Sequence, residues 1–207
     1  MKILAKLQQF FPITNQVTAL VNRIKYQKQA GNWQGTGRSA TPKFGLNWPC
    51  SPYLLVGHSA GGLYVNVFAR IYPEEVAGVV LIDSTHPLQF EYFRKDQSIL
   101  YAVFVTSTAT GNTRYEASIL RNIHAEFASI EPFPDIPLVV LTAENSSLFE
   151  TAEMRNKWLE FQQDLASMSI YATHKVIAGS AHFIHKDKPQ VVIAEITRII
   201  NEFKNIQ

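Results

Sequence analysis

Ser59 is the residue around which this sequence can do chemistry. It stands at the centre of Gly57-His58-Ser59-Ala60-Gly61, a G-x-S-x-G pentapeptide. The pattern by itself recurs by chance, so its context matters more. Ahead of it Tyr53 to Gly57 is the short, continuous apolar run of a strand buried on both faces. Behind it, from Gly61 to Tyr72, Leu63, Val67, Phe68 and Ile71 share one helical face. A serine in the sharp turn between such a strand and helix is held in a strained conformation that exposes its hydroxyl as a nucleophile. Small neighbours let adjacent backbone approach without a Cβ clash. The same turn aims the Ala60 N–H at the place where an oxyanion would form, beside the positive end of the helix. A glycine-rich turn with an inert serine would look alike in isolation, so the surrounding elements must be read as well.

Those elements are regular after Ser51. Pro73 stops the first helix, and Ala77 to Asp83 reads as a second buried strand. Pro87 to Pro134 holds a helical stretch rich in aromatics, among them Phe90, Tyr92, Phe93, Tyr101 and Phe104. Pro137 to Ala143 is a third strand, Thr151 to Met168 a helix around Trp158, Phe161 and Leu165, and His174 to Ala178 a fourth strand. A last helix is predicted from Lys188 to Lys204, with Pro189 in its first turn and an apolar face of Val192, Ile196, Ile199 and Phe203. Strands alternating with helices predict an α/β fold with a parallel sheet. Before Ser51 only Thr14 to Lys28 has helical spacing, and Gly31 to Pro52 reads as loop. The expected division is an N-terminal helix and loop at 1–50 and a core at 51–207, with an insertion at about 87–136.

Composition removes several function classes. The chain has 207 residues, 46% hydrophobic and 17% charged, which fits one globular domain. A net charge of +2 with scattered Lys and Arg gives no stripe for nucleic acid. The single cysteine, Cys50, cannot form an internal disulfide, and no base is positioned to make it a nucleophile. Lys6, Gln8 and Gln9 interrupt the apolar start, so no signal peptide is expected. No run approaches the roughly 18 apolar residues of a membrane span. A cytoplasmic protein with no cofactor and no metal is the expectation.

From Ser51 onward the chain resembles the α/β-hydrolase superfamily. Three motifs carry the resemblance: Tyr53-Leu-Leu-Val-Gly-His-Ser-Ala-Gly-Gly62, Tyr72-Pro-Glu-Glu-Val-Ala-Gly-Val-Val-Leu-Ile-Asp83 and Gly179-Ser-Ala-His-Phe-Ile-His-Lys-Asp-Lys-Pro189. The resemblance implies a parallel sheet of about four recognisable strands flanked by helices, with the 87–136 insertion as a helical cap. It also implies the chain order nucleophile, acid, histidine. His182 then becomes the general base for Ser59 and afterwards the acid to the leaving group. Most of the family places the acid after the strand at 137–143, where Glu144 stands, although the usual Gly-x-x-Asp form is missing. Other members place it one strand earlier, where Asp83 ends a buried strand and would need a charged partner such as His182. Asp83 is favoured over Glu144; Asp135, or no acid, completes the set. Of the other histidines, His58 is expected to pack or hydrogen-bond locally, His86 to line the pocket or serve structure, and His185 to lie on the surface.

A serine at position 59 sets aside the dehalogenase and epoxide-hydrolase branches, which use aspartate there. The implied activity is that of a carboxylesterase-like serine hydrolase, with Ser59, His182 and Asp83 as triad and Ala60 in the oxyanion hole. Its substrate would be a small, apolar acyl compound under an aromatic lid. The family also has several strands before the elbow and a His-Gly loop giving a second oxyanion N–H. Here 58 residues precede Ser59, with no strand recognisable in Met1 to Ala30. Gly35-Thr-Gly-Arg-Ser39 resembles the segment after the family's fourth strand, yet Ala40 to Pro52 is too short for the helix that should follow. The resemblance thus implies a fold shortened at its front, with an open sheet edge that the N-terminal helix or self-association would cover. The alternative function is a catalytically weak or inactive homologue that acts as a binding or interaction protein.

Overall fold

The computed structural model describes residues 52–96, 127, 130–145 and 150–205. The helix expected at 14–28, the loop at 31–51 with its Gly35–Ser39 segment, Cys50, and the insertion's Tyr101 and Phe104 lie outside the described residues.

Four strands form one parallel sheet in sequence order: β1 (Tyr53–His58), β2 (Val76–Ile82), β3 (Leu138–Ala143) and β4 (Ala172–Ile177). Between and after them run α1 (Ala60–Ile71), α2 (Gln89–Asp96), α3 (Ala152–Ala166), the one-turn α4 (Ile184–Asp187) and α5 (Pro189–Asn205). A 3-10 turn at Pro73–Glu75 ends α1, as proline requires where it lacks an N–H. Thr151 caps α3 by accepting from the Met154 N–H at 3.2 Å. The fourth strand begins two residues earlier than its sequence pattern suggests. It is only half-buried, so it lacks the continuous apolar run that marks the other three.

The sheet is buried on both faces, which is why β1 to β3 read as unbroken hydrophobic runs. One face of Leu54, Val56, Val80, Ile82, Val139 and Leu141 packs against Val192, Ile196 and Ile199 of α5. The other, with Leu55, Val79, Leu81, Leu138 and Val140, packs against Val65 and Ala69 of α1 and Leu165 of α3. Phe90 of α2 joins Leu63, Tyr64 and Val67 of α1 in a separate cluster, so the start of the insertion is tied to the elbow helix. Among the described residues no helix is long and apolar enough to cross a membrane.

The glycines of the pentapeptide are unequal. A Cβ on Gly57 would lie 2.6 Å from the Gly61 carbonyl oxygen and 2.6 Å from the Gly62 Cα, both backbone. A Cβ on Gly62 would run into the side chain of Ser84. At Gly61, among the described residues, it would meet nothing within 4 Å. The tight pair is therefore Gly57 and Gly62, not the Gly57 and Gly61 of the pattern. Gly57→Ala should cost about 1–3 kcal/mol through overpacking. Gly61→Ala should leave stability unchanged or raise it by up to about 1 kcal/mol, since alanine suits a helix better than glycine. Urea unfolding of the two variants beside the wild type checks the contrast.

Candidate active site

The parallel register pairs His58 with Ile82. Ser59 and Asp83, each the first residue beyond its strand, therefore emerge side by side at the C-terminal edge of the sheet. That edge is where open α/β sheets place their ligands. Both residues have left-handed backbone, φ 54° at Ser59 and 42° at Asp83, which residues other than glycine seldom adopt. Main-chain bonds hold these turns in place. The Ser59 N–H donates to the Ile82 carbonyl at 3.1 Å, and the Asp83 N–H to that of Leu141 at 2.7 Å. The Ser59 carbonyl accepts from Gly62 and Thr85, each at 3.0 Å. Two consecutive strands thus end in strained residues, one a hydroxyl and one a carboxylate.

The Asp83 side chain is only 6% exposed, so its charge needs donors. Its Oδ1 accepts from the Ala143 N–H at the end of β3 and from the Trp158 indole N–H of α3, both at 3.0 Å. Its Oδ2 accepts from His182 Nδ1 at 2.7 Å. With Nδ1 donating to a carboxylate, Nε2 of a neutral His182 is the nitrogen left to accept a proton. Trp158 lies in α3 in helical register with the buried Phe161, Gln162 and Leu165. Gln162 Nε2 in turn donates to the Ser84 carbonyl at 2.8 Å, one residue past the acid.

His182 sits on a loop that is anchored residue by residue. Gly179 takes a φ of +67°, and its N–H donates to Glu144 Oε2 at 2.8 Å. Ser180 is fully buried; its hydroxyl donates to the Ile177 carbonyl at 2.8 Å, and its own carbonyl accepts from Asn145 at 2.9 Å. The Ala181 N–H donates to Asp187 Oδ2 at 2.8 Å. Ile184, fully buried, fixes the far side. The imidazole of His182 itself remains 42% exposed.

These contacts sort the candidate acids. Asp83 meets His182, whereas Glu144 is exposed and spends its carboxylate on the Gly179 amide. Asp135 precedes β3 and so lies at the opposite edge of the sheet, exposed. His58 turns its ring onto the His182 loop, and burial drives its pKa down to about 4. His86 is buried and stacks on Phe161 with ring centroids 4.4 Å apart. It accepts from the Leu88 N–H and donates to Asp164, which ties the start of the insertion to α3 as a structural residue would; burial lowers its pKa. His185, expected on the surface, is half-buried with its ring edge-on to His58 at 4.7 Å. Its one-turn helix folds back toward β1, which sequence spacing does not reveal. In the sequence Trp158 stands only as part of the helix at 151–168, yet a half-buried indole seeks a partner for its N–H.

Among the described residues no group of three or more His, Cys, Asp or Glu side chains is placed to hold a metal ion. A shallow groove of about 920 Å³ runs along α3 and β4, lined by residues such as Leu159, Gln163, His174 and Val176. It lies at the far edge of the sheet and shares no residue with the cluster around Ser59.

No family model matches the chain. It is 22% identical over 179 residues to the esterase YbfF of Escherichia coli (strain K12), across 71% of this chain and 66% of that one. The chain thus spans 66% of the length of that curated relative. Among solved structures, a thermophilic esterase from Thermogutta terrifontis aligns over 74% of this chain and 66% of its own, at 17% identity and TM-score 0.42. Rv0554 from Mycobacterium tuberculosis aligns over 73% and 66%, at 15% identity and TM-score 0.46. With its parallel sheet, its strand-to-helix serine turn and the order of its motifs, the chain is similar to the α/β-hydrolases.

Proposed function

We propose that this chain is a serine hydrolase acting on esters of small, apolar acyl groups, with Ser59 as nucleophile, His182 as base and Asp83 as acid. The observation that supports it best is the Asp83–His182 hydrogen bond, formed beside a serine held at positive φ. The likeness to an esterase at low identity agrees with hydrolysis as the general chemistry.

In this reading His182 Nε2 takes the Ser59 proton as Oγ attacks the acyl carbon. Asp83 stabilises the resulting imidazolium and keeps the ring in the tautomer that leaves Nε2 open. The Ala60 N–H, at the start of α1, donates to the tetrahedral oxyanion. Collapse breaks the bond to the leaving alcohol, which carries off the proton from His182. Water, deprotonated by the same nitrogen, then attacks the acyl-enzyme and releases the acid, returning the proton to Ser59. No cofactor enters these steps.

A fluorophosphonate probe should label the wild-type chain at Ser59, and Ser59→Ala should remove both labelling and turnover of short-chain p-nitrophenyl esters. Asp83→Asn should lower kcat by as much as roughly 10⁴, because the ring loses its tautomer control. A folded, monodisperse wild type that resists labelling would leave the inactive binding protein as the reading. Trp158→Phe keeps the packing and deletes one donor to Asp83. It should cost about 1 kcal/mol of stability and about tenfold in kcat with KM little changed. Thermal melts and steady-state kinetics of this variant provide the check.

A further inference from the structure

His58 immediately precedes Ser59, and its ring reaches the main chain of His182 across 124 residues of sequence. The Nε2–H donates to the His182 carbonyl at 2.9 Å. A carbonyl only accepts, so the His58 proton is fixed on Nε2. The His58 ring centroid lies 4.6 Å from that of His182, 5.2 Å from Phe183 and 4.7 Å from His185. The backbone of His58 belongs to β1, where it pairs with Ile82 of β2. The ring is therefore mounted on a strand end that the sheet ladder holds.

We propose that His58 is a positioning residue, which holds the backbone of His182 from the same turn that presents Ser59 and so fixes the spacing of nucleophile and base. This rests on the hydrolase reading above. The side chain of His182 has one bond to a carboxylate, Nδ1 to Asp83, and is 42% exposed. A single bond of that kind leaves the ring free to swing about the line joining donor and acceptor. Anchoring the carbonyl of the same residue fixes the main chain from which the ring hangs and so narrows that swing. The two anchors come from neighbouring strand ends, Asp83 after β2 and His58 at the end of β1.

The charges around His58 suit this role. Burial is the main reason its pKa falls to about 4, with His182 and His185 lowering it further while the bond to the His182 carbonyl and nearby Asp83 oppose the fall. His58 thus becomes charged only below about pH 4 and is neutral above it. When His182 takes up a proton, its nearest aromatic neighbour adds no second positive charge. An acid limb of activity above about pH 4 should then carry no contribution from His58.

The test uses the full chain and three readouts: the rate of fluorophosphonate labelling at Ser59, kcat and KM for a p-nitrophenyl ester, and a thermal melt. His58→Phe keeps a ring and deletes the donor. It should lower kcat and the labelling rate by about ten- to a hundredfold, leave KM within about twofold, and leave the midpoint of the acid limb in place. His58→Gln, which retains an N–H donor of similar reach, should recover most of the loss. On a His182→Ala background His58→Phe should have no further effect, because its action passes through His182. If His58→Phe melts without cooperativity, His58→Asn, too short to reach the carbonyl, takes its place with the same expectations. Unchanged kinetics in His58→Phe, or an equal loss with and without His182, would overturn the inference. A wild type that is never labelled would instead overturn the hydrolase reading on which it rests.

Discussion

A carboxylate withdrawn from water keeps its charge only where N–H groups converge on it, and Asp83 draws three from three different elements. One is the main chain at the end of β3, one an indole on α3, one the imidazole on the loop after β4. Each donor also locates the element that carries it, so the same bonds that satisfy the charge bring the third strand, the third helix and the last loop to the elbow. Removing the side chain would leave the Ala143 N–H and the Trp158 N–H without this acceptor, at about 1–3 kcal/mol for each group that stays buried. The carboxylate is therefore a structural hub as well as the partner of a histidine, with one oxygen turned to each use.

Sequence reading recovered what is periodic or local. The three fully buried strands announced themselves as unbroken apolar runs, and α1, α3 and α5 as faces of helical spacing. Ser59 was marked by its neighbours within two residues. Which carboxylate meets His182 could not be read this way. Asp83 and Glu144 both follow a buried strand, and their difference lies in which part of the same loop each meets, His182 for the one, 99 residues on, and the Gly179 amide for the other, 35 residues on. Trp158 and His58 were hidden for the same reason, since their partners stand 75 and 124 residues away and carry no local pattern. The half-exposed fourth strand shows the converse failure: its ends blur because its outer residues answer to solvent rather than to a core.

The pentapeptide itself divides along physical lines. Gly57 and Gly62 are small because strand, helix and the chain after β2 meet there at backbone distance. Gly61 is small at a place where the described structure leaves room. A pattern of letters treats the first and last glycines as equivalent; packing assigns one to the fold, while no described atom would meet a Cβ on the other. The strained φ of Ser59 belongs with the first of these, since the ladder bond from its N–H to Ile82 carries β1 right up to the turn.

Helix α3 turns one stripe of residues to two uses. Leu165 packs beneath the sheet and Phe161 against His86 and Tyr92, while Trp158 and Gln162, interleaved with them at spacings of three and four, hold Asp83 and the residue after it. A helix advances about 100° per residue, so a rotation by one position would carry all four away together. The apolar side chains thus act as the key that indexes the polar ones. An insertion or deletion within α3 would misalign Asp83 even if the helix itself formed without loss, whereas length changes beyond its ends would be absorbed. Tolerance to gaps in this protein should therefore follow the angular phase of its helices rather than their distance from Ser59.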